Sequence, residues 1–485
     1  MNYSIVKRTI GALLIFEGIF FLVPLITAIV YAEQTVVAFL ISIGVSVGCG
    51  VLCLIGKNKN QSIYAKEGFV IVALSWIVLS IFGALPFYLS RSIPSFIDAL
   101  FETVSGFTTT GATIMPSGEA IEALPKSILM WRSFTHWIGG MGVLVFIMAF
   151  LPLSGAKNMY LMKAESPGPT VGKLVPKVKE TAKILYIIYT IMTLVQLVLM
   201  LAGGMPVFDA VTTAFATAGT GGFAIKADGF AGYSSYLQIV VAVFMFLFAI
   251  NFNAYYLIGK GRWKEILTTE IKAFLLIVFS AITLITANLF LNGVVDYGYS
   301  FGEALKHVAF TVASLVSSTG FATENFDLWP SFSKTILVLL MFVGACAGST
   351  GGGIKVSRIV MLSKGAKHEV GRILHPKKVK MITMDKKVVD QEVVRSLNGY
   401  IIAYILIYIL SMLLISIEGY DMTTNFTSVV ATLNNIGPGL SLVGPAGSFA
   451  FFSDFSKIVY IFDMLAGRLE IFPMLVLFAP STWRK

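Results

Sequence analysis

The chain has 485 residues, of which 56% are hydrophobic and only 13% are charged. A soluble globular protein of this length would need far more charge to cover its surface, so the composition excludes that class and indicates an integral membrane protein. The formal net charge of +10 does not indicate nucleic-acid binding, because the basic residues are concentrated in a few segments between apolar runs. We therefore expect the lipid bilayer, and no nucleic acid, as a partner.

Ten apolar segments are long enough for a spanning helix, which needs about 20 apolar residues. In chain order they lie at about 9–32, 35–56, 68–90, 127–152, 182–203, 234–258, 271–292, 333–362, 397–417 and 455–480. The runs are continuous rather than alternating, which argues against a β-barrel. The sequence predicts an all-α integral membrane protein with ten transmembrane helices.

Charge is divided between the two sides of these segments. Lysine and arginine dominate 157–183, 260–272 and 355–395, whereas the loops on the other side carry mostly aspartate and glutamate. Basic loops mark the cytoplasmic side of a membrane protein, so both termini are predicted to be cytoplasmic. Most of the basic runs need no role beyond solvation on that side.

Four short stretches repeat one pattern, a glycine-centred loop that follows a short apolar run. The four short runs are Phe96–Thr109, Phe208–Gly219, Leu305–Ser318 and Phe426–Asn435. Runs of about 10–14 apolar residues are commonly re-entrant rather than spanning. The sequence therefore predicts four re-entrant pore loops that dip in from the acidic side.

The loops divide the chain into four similar units of helix, pore loop and helix. Two extra N-terminal helices occupy 1–60, and the first pore unit occupies 61–155. The second unit with its linker is predicted at 156–260, the third at 261–365, and a cytoplasmic linker with the fourth at 366–485. The key glycines are about a hundred residues apart, which indicates tandem duplication.

The chemistry of such loops favours a cation filter. A ring of backbone carbonyls can replace the hydration shell of a cation, and glycine allows the backbone conformations that aim those carbonyls at one axis. The predicted filter residues and K⁺ ligands are Thr110, Gly111, Thr220, Gly221, Thr319, Gly320, Ile436 and Gly437. The alternative for any single loop is a flexible turn, but four copies in one context favour the pore.

One later helix is interrupted by an unusually glycine-rich segment, 344–353. Its glycines are Gly344, Gly348, Gly351, Gly352 and Gly353. It does not fit a phosphate-binding loop, because Lys355 is separated from the last glycine and Val356 stands where serine or threonine is needed. Close helix packing through small residues is one interpretation. The other is a mobile gate under the filter.

Charges also lie within the last apolar segment, at Arg468 and Glu470. An intramembrane charge is costly and usually faces a cavity or a partner. Arg468 is therefore either a gate residue beside the ion path or a local structural pair with Glu470 or with the backbone. His136 and Glu17 are more simply structural. No metal-ligand spacing occurs among the cysteines and histidines, so we expect no enzyme.

These strings resemble the Trk/Ktr/HKT superfamily of potassium transporters, and within it the TrkH/TrkG-type membrane subunit. The resemblance rests on Thr108–Thr113, Leu433–Leu440, Ala347–Lys355 and Gly467–Phe472, and it runs the full length of the chain. It implies K⁺ as the transported substrate, a gating loop at 344–353 and a pore-facing Arg468. In this superfamily serine at the first filter position accompanies sodium permeation, so Gly111 favours K⁺.

The resemblance also implies an assembly: a homodimer on a cytosolic, TrkA-like nucleotide-binding regulatory subunit. NAD or ATP is then expected on that partner, and no cofactor is expected on this chain. The implied function is potassium uptake across the cell inner membrane of a prokaryote through a channel-like pore. The alternative is a secondary active transporter with broken helices, which includes ion-coupled symport.

Overall fold

The computed structural model describes residues 1–55, 65–142, 178–291, 300–376 and 381–483. Helices form almost all the regular structure of this part of the chain. Its two strands, Thr383–Met384 and Lys387–Val388, make one small antiparallel hairpin. The predicted all-α fold is confirmed.

Six helical segments within the described ranges are long and apolar enough to cross a membrane, and a bent pair brings the number to seven. The six are Tyr3–Val30, Val36–Leu54, Lys66–Leu89, Glu180–Ala202, Thr269–Leu291 and Gln391–Ser416. They agree with six of the predicted apolar segments. The remaining four segments are interrupted helices or continue outside the described ranges, so the count of ten crossings stays a prediction.

The N-terminal helices pack through small residues. The helix that begins the chain runs from Tyr3 to Phe20 and continues as Leu22–Val30, and it lies against Val36–Leu54. A Cβ built on Gly50 would lie 2.7 Å from the Gly11 carbonyl oxygen. Only glycine at this crossing permits so close an approach of two helix backbones.

After the N-terminal helices, three kinds of helix recur four times along the chain in the same order. The outer helices are Ala65–Gly83, which is extended by Leu85–Leu89, then Val178–Ala202, Thr269–Leu291 and Gln391–Ser416. The loop helices are Phe96–Phe107, Val207–Gly219, Phe301–Val316 and Met422–Leu433. The set here called the broken helices contains three with a described break, Ser235–Phe248 with Phe252–Gly259, Ser331–Phe342 with Val356–Leu374, and Asp454–Arg468 with Phe472–Phe478, and also Lys126–Gly140, which has the same place in the first part of the chain and ends shortly before the described range does.

Short elements complete the described chain. They are the helices Gly118–Glu122 and Pro480–Trp483 and the 3-10 turns Trp263–Glu265, Phe326–Leu328 and Ser441–Val443.

Capping residues fix where the loop helices begin. Ser300 and Glu303 form a reciprocal capping box at the third loop helix. Asp421 caps the fourth, where its carboxylate accepts hydrogen bonds from the Thr424 hydroxyl at 2.5 Å and amide at 3.0 Å. These bonds hold the pKa of the Asp421 carboxyl below its usual value. The caps satisfy amides that the first turn of a helix leaves without partners.

The broken helices correct two predicted continuous spans and agree with one predicted interruption. The predicted span 234–258 bends by 93° where Ser235–Phe248 meets Phe252–Gly259. The span 333–362 is interrupted by the glycine-rich segment, and 455–480 is interrupted before Pro473. The prediction of a helix over 127–152 is met as far as Gly140, and its residues 143–152 lie outside the described ranges.

The twelve helices close into a ring. Each broken helix packs against the loop helix that precedes it in the chain and against the next loop helix around the ring. The last broken helix, Asp454–Arg468, packs in this way against the first loop helix, Phe96–Phe107. One chain therefore makes a closed arrangement of four similar parts around the glycine loops.

Candidate functional site: four glycine loops and the segment below them

The four glycine loops share one backbone conformation. In each loop a residue with a side chain has a positive φ, and a glycine with a positive φ follows two positions later. The pairs are Thr109 (56°) with Gly111 (81°), Thr220 (56°) with Gly222 (73°), Ser318 (60°) with Gly320 (84°), and Asn435 (55°) with Gly437 (94°). Positive φ is uncommon in residues other than glycine, and it is retained where the surrounding structure enforces it.

This pattern corrects the predicted register of the second loop by one residue. Gly222, rather than Gly221, has the conformation of the other three loop glycines, and Gly221 takes the place that Thr110 has in the first loop. Thr220 then corresponds to Thr109. Consecutive glycines made either register compatible with the sequence, and only the backbone distinguishes them.

The aligned glycines touch their neighbours in a fixed direction around the ring. A Cβ added to any of them would meet the carbonyl oxygen that precedes the glycine of the next loop. These contacts run from Gly111 to the oxygen of Gly221, Gly222 to Thr319, Gly320 to Ile436, and Gly437 to Thr110. The four loops thus form a closed ring of backbone carbonyls that a side chain would disrupt.

The threonine hydroxyls at the predicted filter positions form hydrogen bonds with neighbouring groups of the loops. Thr110 Oγ1 lies 2.8 Å from Thr108 Oγ1 and accepts a hydrogen bond of 2.9 Å from the Asn435 amide. Thr220 donates to the Gly219 carbonyl, and Thr319 shares a hydrogen bond with Ser317. The Ile436 side chain is buried and apolar. Backbone carbonyls are therefore the polar groups that these positions share.

A cavity of about 310 Å³ opens on one side of the ring. All four aligned glycines line it, together with carboxylates such as Asp228 and Glu324 and the basic residues Arg132 and Lys226. The lining therefore carries both signs of charge beside the ring.

The glycine-rich segment 344–353 lies on the other side of the ring. Its two ends are joined, because Val343 bridges Ile354 and the Gly344 amide donates to the Ile354 carbonyl at 2.9 Å. The Gly352 amide donates to Ser318 Oγ at 2.6 Å, directly behind the third loop. A Cβ on Gly351 would lie 2.7 Å from the Ser317 carbonyl oxygen.

The same segment passes through the bend of the second broken helix. The Cys346 amide donates to the Ala249 carbonyl, and the Phe252 amide donates to the Gly348 carbonyl, each at 3.0 Å. Gly348 and Gly353 have φ values of 73° and 71°. The segment is therefore an ordered loop between the ring and the bend, with conformations that glycine adopts without strain.

Arg468 joins this segment to the first broken helix. Its guanidinium donates to the Thr350 carbonyl at 2.9 Å and to the Gly139 and Gly140 carbonyls at 2.5 and 2.8 Å. Glu470 pairs instead with Arg358. Of the two structural alternatives for Arg468, the backbone pair is the one observed, and it involves the proposed gate itself.

Two further residues hold the glycine-rich segment, a third lies just after it, and none of the three was predicted as a site residue. The Glu270 carboxylate accepts hydrogen bonds from the Ala347 amide at 2.7 Å and the Ser357 amide at 3.1 Å. Buried Lys355 donates to carbonyls of the segment, and Arg358 stacks on Tyr400 at 3.9 Å. A charge at the edge of an apolar span was the signal that could have indicated them.

Helices that enclose a ring of backbone carbonyls define a class, a multi-pass membrane transport protein. The model of one family, described as TrkH, cation transport protein, matches residues 34–485. The chain belongs to this TrkH family, which confirms the resemblance and makes the chain a transport protein rather than an enzyme.

The relatives are similar over their whole length. The Trk system potassium uptake protein TrkH of Salmonella typhimurium is 36% identical over 495 residues, with 100% of both chains covered. The Trk system potassium uptake protein TrkG of Escherichia coli is 33% identical over 494 residues, also with 100% of both covered. The crystal structure of the potassium transporter TrkH from Vibrio parahaemolyticus matches with a TM-score of 0.88, 34% identity and full coverage of both chains.

Proposed function

We propose that this protein takes up K⁺ across the cell inner membrane through a selective, channel-like pore, with both termini in the cytoplasm. The closed ring of glycine loops is the observation that carries the proposal. It fits the names of the relatives, which are potassium uptake proteins.

In this proposal the ring is the filter and the ion is bound by backbone. Carbonyls at the eight predicted positions, with Gly222 added as the aligned glycine of the second loop, replace the hydration shell of K⁺. The four loop helices end at the ring, so the partial negative charge of their C-termini favours a cation there. The hydroxyls at Thr110, Thr220 and Thr319 support the loops from the side.

The four predicted units and the two N-terminal helices belong to the same proposal. Each loop helix and the glycine loop after it enter and leave the membrane on the same side. A re-entrant loop, rather than a spanning helix, therefore carries each quarter of the filter. The broken helices then line the path on the cytoplasmic side. Ten crossings result when every broken helix counts as one span.

The gate is the glycine-rich segment together with Arg468. The hydrogen bonds of Arg468 to Thr350, Gly139 and Gly140 hold the segment across the path below the filter. A homodimer on a cytosolic nucleotide-binding subunit, which carries NAD or ATP, would shift the balance between this arrangement and an open one. The joined ends of the segment, Val343 and Ile354, let it move as one loop.

The test is uptake of ⁸⁶Rb⁺ into proteoliposomes that hold the purified protein, with K⁺ or Na⁺ as competitor. We expect K⁺ to compete strongly and Na⁺ weakly at equal concentration. A variant that lacks Gly348–Gly353 is assayed in parallel, and it should take up more Rb⁺ because the path is no longer closed. Equal competition by the two cations, or no uptake by the folded deletion variant, would overturn the proposal.

Ion-coupled transport is the second candidate, and the broken helices favour it, since secondary transporters bind their substrates between half-helices. The same vesicles distinguish the two. Uptake that continues unchanged when a proton or sodium gradient is removed supports the channel-like pore, and uptake that stops supports coupling.

A further inference from the structure

His136 occupies the junction between the first two glycine loops. It lies on the first broken helix, Lys126–Gly140, and its side chain is fully buried. Its Nδ1 is 2.8 Å from the Gly106 carbonyl oxygen, in the last turn of the first loop helix. Its Nε2 accepts a hydrogen bond of 3.2 Å from the Phe223 amide in the second loop. One imidazole thus joins two quarters of the ring.

The two backbone partners determine the form of the imidazole. A carbonyl oxygen only accepts a hydrogen bond, so Nδ1 carries the proton. An amide N–H only donates, so Nε2 is unprotonated. This neutral tautomer is the form that satisfies both neighbours. A protonated ring would have no acceptor for the Phe223 amide.

The hydrogen bond to Phe223 acts on the peptide of Gly222, whose carbonyl is one of the proposed K⁺ ligands. The Phe223 N–H and the Gly222 C=O belong to one planar trans peptide unit, so they point in opposite directions. An N–H held outward by His136 therefore aims the Gly222 carbonyl inward. The His136 imidazole also packs on the Phe223 side chain, with ring centroids 4.3 Å apart. A Cβ on Gly221 would overlap the same imidazole.

Arg132, one helical turn earlier, supports the same junction nearer the cavity. It forms a buried ion pair of 2.7 Å with Glu102 of the first loop helix and donates to the Ala224 carbonyl at 3.3 Å. Its guanidinium lies 4.1 Å from the Phe223 ring centroid. The peptide that His136 orients is thus enclosed on a second side.

Two of the other junctions contain direct contacts between the loops. Between the second and third loops, the Phe230 backbone amide donates to the Ala322 carbonyl. Between the fourth and first loops, the Asn435 side-chain amide donates to Thr110 Oγ1. Neither contact uses a side chain of a broken helix. We infer that His136 is a positioning residue that orients the Gly222 carbonyl and thereby contributes to the preference for K⁺ over Na⁺.

This inference deepens the proposed function and rests on it. Three variants separate the two hydrogen bonds of the imidazole. His136→Gln places an oxygen near the position of Nε2 and retains an acceptor for Phe223. His136→Asn retains a donor for Gly106 and loses that acceptor, and His136→Phe retains volume and loses both.

The readout is the ratio of the Na⁺ and K⁺ concentrations that halve ⁸⁶Rb⁺ uptake into proteoliposomes, which does not depend on the amount of folded protein. We expect the ratio to fall by about fivefold or more in the Asn and Phe variants, because the Phe223 amide loses its acceptor. The Gln variant should remain closer to the unsubstituted protein. His375→Asn, at an exposed position just after the helix Val356–Leu374, is the control and should leave the ratio unchanged.

Variants that lose only yield or thermal stability, with an unchanged ratio, would overturn the inference, and so would a Gln variant as unselective as the Phe variant. If the Asn and Phe variants do not fold, the Gln variant tests the inference. Its melting temperature should rise more with K⁺ than with Na⁺, and equal rises overturn the inference. Unsubstituted protein without K⁺ preference would instead overturn the proposed function, and the inference with it.

Discussion

Three of the outer helices and the first broken helix lie in opposite environments. In three of the outer helices, Glu180–Ala202, Thr269–Leu291 and Gln391–Ser416, only 28–33% of the apolar window is buried, which leaves most of each surface for lipid. In the broken helix Lys126–Gly140 almost every residue after the first is buried. These three continuous helices thus face outward, whereas protein surrounds the described part of the first broken helix.

The physical reason is the backbone. Lipid offers no hydrogen-bond partner, so a helix that faces it must remain unbroken. Where other protein groups supply partners, as Gly348 does for the Phe252 amide, a helix can bend and expose its backbone to a neighbouring segment. The irregular backbone of the proposed gate can therefore be built into the broken helices and not into the lipid-facing surface of the outer ones.

The largest expected effect tests this difference with one methyl group. Gly467 lies on the last broken helix, and a Cβ there would overlap the Leu433 carbonyl oxygen at the end of the fourth loop helix. We expect Gly467→Ala to lower ⁸⁶Rb⁺ uptake by about 100-fold, because the loop helix must shift to make room. Uptake that remains within a few-fold of the unsubstituted protein would contradict the close packing described for this helix.

A second expected effect concerns selectivity. Gly111→Ser places a side chain against the Gly221 carbonyl at a φ of 81°. We expect the K⁺ over Na⁺ preference to fall by about tenfold, because one quarter of the ring must widen. The same exchange at Gly222 should act similarly, whereas Gly419→Ser, which has a φ of 79° but open space around it, should not. Competition assays on ⁸⁶Rb⁺ uptake measure all three.

A smaller effect, of opposite sign, is expected at Arg468. Arg468→Ala removes the hydrogen bonds to the Thr350, Gly139 and Gly140 carbonyls that hold the glycine-rich segment. Uptake should rise by about fivefold, which corresponds to the net contribution of about 1 kcal/mol that a typical hydrogen bond makes. Arg262→Ala removes an exposed pair with Glu265 and is the control. Reduced uptake in folded Arg468→Ala would refute a closing role for this side chain.

The smallest effect completes the comparison on an outer helix. Gly399 lies in Gln391–Ser416, and apart from its chain neighbours and its own helix backbone no atom lies within 4 Å of the position that a Cβ would take. Gly399→Ala should leave uptake unchanged and stabilise the protein by about 0.5–1 kcal/mol, because alanine favours the helix. A thermal melt beside the uptake assay tests this expectation, and a loss of uptake would show that lipid-facing positions are not permissive.

Much of the fold was predictable from hydropathy and glycine. The first loop helix was predicted at Phe96–Thr109 and is found at Phe96–Phe107, because a short apolar run ends at a glycine-centred loop. The residues predicted around the four glycines do meet in one ring. Hydropathy averages a segment and does not register its backbone, so the breaks in 234–258 and 455–480 were missed.

The contacts within the site were harder to predict. Gly221 and Gly222 are adjacent in the sequence, so composition could not assign the register that their φ values show. The partners of Arg468 are backbone carbonyls in distant segments, and a carbonyl carries no sequence signal. The roles of Glu270 and His136 likewise depend on segments about 80 residues away, which the ring brings together.

The closed ring of one chain has a genetic consequence. In a tetramer of identical subunits, a single codon change alters the same position four times around the axis. Here it alters one quarter only, so the loops can diverge independently and a substitution can be tested in small steps. The fourth loop, where Ile436 and Pro438 flank the glycine, has already diverged in this way.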